Sequence, residues 1–200
     1  GSRDINPQDL YRDGGKVFRI NDDGSIPSDN PYVDKIGINP AIYSYGHRNP
    51  QGIFYHPETD EIWTNEHGPR GGDEINIIES EKNYGWPVIS YGINYDSTIF
   101  TDLTAKTGME QPLYYWVPSI APSCFEYLDS DVYDGWNGSL LVGSLNYGYL
   151  ERLTTNIFGK VNYREKIAPE IGRVRDVKVS PDGYIHLAVE KDGIYRIVPL

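Results

Sequence analysis

Lys16-Val17-Phe18-Arg19-Ile20 alternates polar and apolar positions and is stopped by Asn21-Asp22-Asp23-Gly24. That pattern predicts a half-buried strand and a turn. It recurs along the chain. Residues 52–56 and 61–65 flank His56-Pro57-Glu58-Thr59-Asp60, a hairpin with a loop of at most those five residues. Further strands are predicted at Glu74–Ile78, Leu113–Trp116, Cys124–Leu128, Ser139–Gly143 and Tyr149–Leu153. The tail is clearest: residues 174–179, 184–189 and 194–198 form a meander, with Ser180-Pro181-Asp182-Gly183 and Lys191-Asp192-Gly193 as its turns. Residues 96–111 carry no period and read as a long surface loop. No stretch shows a helical period, so the fold class is all-β.

Two segments echo each other: Val17-Phe18-Arg19-Ile20 and Ile194-Tyr195-Arg196-Ile197 both end a meander in x-aromatic-Arg-Ile, with Tyr149–Leu153 a looser third copy. Weak repeats of about 40–50 residues, each a four-stranded meander, suit a β-propeller. About a dozen strands make roughly three blades, whereas closed rings have about four to eight. The 200 residues therefore read as one partial propeller domain, about half of a ring.

Composition narrows the partners. The net charge of −11 disfavours nucleic acid, which needs a basic face. A cation or a neutral solute fits better. The lone Cys124 cannot form an internal disulfide and says little about compartment. No apolar run approaches the ~18–20 residues of a membrane span. No signal peptide is present, and Gly1-Ser2 looks like the scar of a cleaved tag.

Candidate chemistry gathers in two polar knots, Gly46–Gly52 and Glu66–Glu74, dense in Gly, Pro and ion-binding side chains. Arg48 presents a planar fork of donors and Asn49 an amide; an Arg here also suits tying its loop to a neighbouring blade. Gly68 and Pro69 offer carbonyl oxygens in a tight bend, hard ligands of the kind calcium prefers, or else a plain turn. Asp73 and Glu74 are candidates to support that bend. Arg173 and Arg175 alternate across Val174 and share one strand face. They repel unless an anion lies between them, and an acidic side chain would serve as well as a ligand.

The motifs GHRNPQG, NEHGPRGGDEINI, KNYGWP and GINY, followed by GRVRDV and SPDGY, resemble the bacterial aldose sugar dehydrogenases. These belong with the soluble glucose dehydrogenases, six-bladed propellers that use pyrroloquinoline quinone and calcium. The likeness runs from about Gln8 to Ile197 and is densest over residues 46–92. It implies oxidation of an aldose at its C1 hydroxyl to a lactone, with hydride transfer to the quinone and electrons passed to a soluble acceptor. It also implies a periplasmic or secreted setting.

By that resemblance Arg48, Asn49, Arg173 and Arg175 hold the cofactor, Tyr114 lies against it, and the Gly68 and Pro69 carbonyls bind the calcium that touches it. Tyr115 and Trp116 share Tyr114's strand and read as core. Ser90, through its carbonyl, and the Asn94 side chain are candidate ligands of a second, structural calcium. Asn146 in Gly143-Ser144-Leu145-Asn146 stands where family members carry a cofactor-contacting Lys. The shorter neutral side chain forgoes a charge-assisted contact worth on the order of 1.5–3 kcal/mol.

The family's catalytic histidine has no match among His47, His56, His67 and His186, so no catalytic residue is assigned. The expectation is that the base lies in a missing N-terminal half. Two other readings stand beside the enzyme: a non-catalytic module that binds calcium, sugar or protein, and a half-ring that closes as a homodimer.

Overall fold

A computed structural model describes residues 6–199. Among the described residues there is one short 3-10 turn, Asn6–Gln8, and otherwise only strands. β1 (Lys16–Phe18) pairs with β2 (Ile42–Tyr45). The strands β3 (Pro50–His56), β4 (Glu61–Glu66), β5 (Asp73–Ile78) and β6 (Tyr114–Trp116) form an antiparallel meander in that order. A second follows, with β7 (Pro122–Leu128), β8 (Ser139–Ser144), β9 (Tyr149–Thr155) and β10 (Val161–Ile167). The last sheet has three strands, β11 (Val174–Val179), β12 (Ile185–Val189) and β13 (Gly193–Arg196).

The first strands of successive sheets lie side by side, β7 packing against β3 on one flank and β11 on the other. Meanders arrayed in this way are propeller blades, as the strand count and spacing predict. Apolar side chains fill both seams. Phe54, Trp63, Trp116, Phe125, Leu140 and Val142 close the seam between β3–β6 and β7–β10. Cys124, Leu141, Leu150, Val174, Ile185 and Leu187 close the next one. Alternate residues of β8 thus serve opposite seams, which explains its unbroken apolar run. The approach is close. A Cβ on Gly52 would stand 2.6 Å from the Phe125 amide nitrogen, so only glycine lets β3 and β7 meet there.

The seam between β1–β2 and β3–β6 is different in kind. Its buried groups include Ser44, His47, Thr64, Glu66 and Asn76. It is a polar seam, and it supports the loops described below.

Two strands end earlier than the alternation predicts. β1 stops at Phe18 rather than Ile20 because the Asn30 side-chain amide takes the Arg19 carbonyl at 2.8 Å. β13 stops at Arg196 rather than Val198, where the Tyr133 hydroxyl caps the Ile197 carbonyl at 2.8 Å. The echoed x-aromatic-Arg-Ile segments also gain a reason. β9 and β13 are third strands of their sheets, and β1, like β9, precedes a paired strand that leads into the next inner strand.

Candidate functional site

The connections at residues 46–49, 67–72, 117–121, 145–148 and 168–173 meet at one end of the sheets. His67 Nε2 lies 2.7 Å from the Pro122 carbonyl oxygen. The Asn146 amide donates to the Ser119 carbonyl at 3.1 Å. Ser123 Oγ donates to the Val174 carbonyl at 2.5 Å, and a Cβ on Gly148 would lie 3.0 Å from the Gly172 oxygen. Five connections among four sheets make one face.

Two carboxylates hold that face together. Asp73, fully buried, accepts the Gly68, Ile120 and Ala121 amides at 2.8–2.9 Å and the Ser119 hydroxyl at 2.8 Å. It therefore locks the Gly68 bend to the loop that enters β7. Burial pushes its carboxyl above the ordinary range, against the pull of those donors. Glu66, also buried, receives the Arg48 and Asn49 amides and the Asn76 side chain, and faces His47. Burial opposes its charge, but the His47 contact and the two amides outweigh that and hold it below the usual value. Burial likewise lowers His67, leaving it neutral with a hydrogen on Nε2 for the Pro122 carbonyl.

The Arg48 guanidinium donates from Nη1 to the His67 carbonyl at 2.9 Å and lies over the Trp86 ring at 5.2 Å. Its Nε is buried without a partner. Asn49 is exposed, its amide 3.5 Å from His67 Nδ1. Between these loops is a pocket of about 10 Å³ lined by Arg48, Glu66, Gly68, Glu74, Trp86 and Ser90 among others. It has room for one water-sized or ion-sized occupant and not for a quinone. Among the described residues no hydrogen-bond donor is assigned to the Gly68 or Pro69 carbonyl oxygens. A Cβ on Gly68 would lie 2.1 Å from the Gly71 oxygen, so the bend needs glycine. A spare Gly68 carbonyl on a pocket of ionic size, with Pro69 next in the same bend, fits calcium. An orphaned guanidinium nitrogen at its edge fits an anionic ligand.

The structure thus brings Arg48, Asn49, Gly68 and Pro69 together, with Ser90 on the same pocket. Asn146 and Arg173 belong to the same loop face but not to this pocket, and the remaining candidates lie off it. Asn94 sits in a turn, its amide donating to Thr98 Oγ1 at 2.9 Å. Arg173 and Arg175 share Glu190 Oε2 at 2.7 and 2.8 Å, so the anion between them is a side chain of β12's outgoing turn. Tyr114 lies on the outermost strand β6, its hydroxyl accepting from Arg164 Nη1 at 2.6 Å. There it lines a separate groove of about 880 Å³ with Tyr91, Tyr115, Tyr147, Tyr149 and Lys166. That volume is in the range of small-molecule sites.

Sequence reasoning did not find Glu66 or His47. The available signal was polar Thr64 and Glu66 standing where β4's alternation calls for apolar side chains.

A family model described as Glucose / Sorbosone dehydrogenase matches residues 1–196. Aldose sugar dehydrogenase YliI of Escherichia coli (strain K12) is 41% identical over 93% of this chain and 51% of its own length. Quinoprotein glucose dehydrogenase B of Acinetobacter calcoaceticus is 29% identical over 92% of this chain and 49% of its own. A glucose dehydrogenase crystal structure superposes with a TM-score of 0.92 at 39% identity, covering 97% of this chain and 57% of that one. The PQQ-bound aldose sugar dehydrogenase of Streptomyces coelicolor gives 0.70 at 25% identity, over 95% and 51%. The chain spans about half the length of the curated relatives it matches.

Proposed function

The chain belongs to the glucose/sorbosone dehydrogenase family, and from that premise we propose that its loop face is the cofactor-facing part of a quinone-dependent aldose dehydrogenase. The observation that carries the reading is the pairing of Gly68, whose carbonyl is spare, with the unpartnered Arg48 Nε at one small pocket, Pro69 following Gly68 in the same bend.

In this reading the two carbonyls hold calcium, with Ser90 on the same wall. Arg48 and Asn49 turn donors toward the cofactor's carboxylates and ring oxygens. Arg173 and Arg175 outweigh Glu190 by one positive charge, which remains available to an anionic ligand. Tyr114 contributes through the neighbouring aromatic groove, and Asn146 braces the Ser119 loop rather than offering a charge. When bound at that face, the quinone would supply a two-electron acceptor for the hydride from an aldose C1, with the C1 hydroxyl proton going to a base outside this chain and the electrons passed on to a soluble acceptor, giving the lactone. The protein's part is to bind, orient and balance charge. A periplasmic or secreted setting is part of the same proposal.

Titrating the chain with pyrroloquinoline quinone, with and without calcium, tests this by melting temperature and by aldose-dependent dye reduction. Stabilisation that needs both ligands supports it; no response to either removes the cofactor reading. Asn146, spent on the Ser119 carbonyl, favours a second reading: a non-catalytic calcium- or sugar-binding module, possible also as a homodimer. Stabilisation without turnover supports the module, and light scattering tests the dimer.

Among the described residues no helix is long and apolar enough to cross a membrane.

A further inference from the structure

Both oxygens of the Glu66 carboxylate are committed twice, and the residue is 3% exposed. Oε2 accepts the main-chain amides of Arg48 at 2.6 Å and Asn49 at 3.2 Å. Oε1 lies 3.1 Å from His47 Nδ1 and accepts from Asn76 Nδ2 at 3.0 Å. Consecutive amides converging on one oxygen form a nest, here filled by the protein's own anion. A nest fixes the backbone of its residues, and so the direction in which their side chains leave the loop.

The carboxylate is itself aimed from several elements. His47 Nε2 meets Ser44 Oγ of β2 at 2.9 Å, and the His47 ring stacks on Tyr84 with centroids 4.4 Å apart. Asn76 belongs to β5 and Glu66 to β4. With the backbone held this way, Arg48 reaches the His67 carbonyl and keeps its Nε free over Trp86.

We propose that Glu66 is a positioning residue: its carboxylate sets Arg48 and Asn49 toward an anionic ligand by binding their backbone amides. The proposal rests on the cofactor reading of the loop face. Glutamine has nearly the same shape but a single acceptor oxygen. The rotamer that serves the two amides then points an NH₂ at the Asn76 amide, donor against donor.

The test is quinone binding by the full chain in calcium, followed by tryptophan fluorescence, for wild type, E66Q, R48A and the double variant. Exchange protection of the Arg48 and Asn49 amides is measured without ligand. E66Q is expected to lose that protection and to weaken binding on the order of 10–100-fold, the usual effect of removing a ligand's outer partner. In the double variant E66Q should cost less than it does alone, because only its effect through Asn49 remains once the Arg48 side chain is gone.

Wild-type binding by folded E66Q, or penalties that add in full, would overturn the proposal while leaving the cofactor reading intact. Unchanged binding by R48A removes that reading and the proposal with it. If E66Q does not fold, E66D takes its place: it keeps both oxygens one methylene short, and the same loss is expected. Wild-type binding by E66D would overturn the proposal.

Discussion

Glu151 is 1% exposed and sits in the seam between two blades. Its charge is tolerable there because Trp116 Nε1 donates at 2.7 Å, while Arg164 donates from Nε at 2.9 Å and from Nη2 at 2.6 Å. Removing one partner of a buried pair leaves the other uncompensated, which costs more than the pair itself contributes. Because Arg164 is itself partly exposed, R164A should lower stability to urea by less than the ~3–5 kcal/mol of a fully buried pair, and adding E151Q should recover most of that loss. If R164A unfolds like wild type, Glu151 is compensated by other groups.

The same arrangement explains why Tyr114 was not placed by sequence: alternation gave its strand, but Arg164 comes from a strand 50 residues on. Arg48, Asn49, Gly68 and Pro69 were legible because Gly and Pro confine them locally. Glu66 and His47 were not, since a polar strand residue reads as solvated until β2 is known to cover it.

At the scale of elements, β4 and β5 set Glu66 directly opposite Glu74. Burial and the Glu66 charge push the Glu74 carboxyl up to about 8 from an ordinary 4.5. The folded protein then holds a proton that the unfolded chain has released across that window. Unfolding releases it, so this contribution to stability is full below about pH 4.5 and is lost as pH rises towards 8. E74Q should flatten the decline in urea midpoint between those values, with Asp73, also raised by burial, leaving a residual slope. An unchanged decline would place the proton elsewhere.

The β4–β5 bend yields a second prediction. In G68A the Cβ meets the Gly71 oxygen at 2.1 Å, so the loop must shift and the Asp73 bond to the residue 68 amide is strained. Calcium-dependent stabilisation should disappear. Its survival would show that the bend is only a turn. Strand identities in this region were readable from alternation, whereas their ends were not. Carbonyls captured by Asn30 and Tyr133 decide where β1 and β13 stop.

For the molecule as a whole, the expected three blades are two complete four-stranded sheets, one of three strands and a leading pair. The count was legible because each meander carries its own turns. The contrast between apolar seams and the polar first seam was not, because it depends on which sheets become neighbours. The sum of charges disfavours nucleic acid but could not reveal that Arg173 and Arg175 close on Glu190. A divalent ion at the loop face should stabilise the fold by mass action, about 2.7 kcal/mol at a hundredfold excess over its Kd. A chelator should reverse the shift in melting temperature. A calcium-insensitive melting curve would leave the Gly68 and Pro69 carbonyls without a metal.

The most direct measurement is a quinone titration by calorimetry on wild type and R48A, each with calcium and with chelator. The account predicts saturable binding only with calcium, weakened at least tenfold by R48A, in line with the ~1.5–3 kcal/mol of a hydrogen bond to a charged group. Equal binding by R48A, or binding indifferent to calcium, would contradict it.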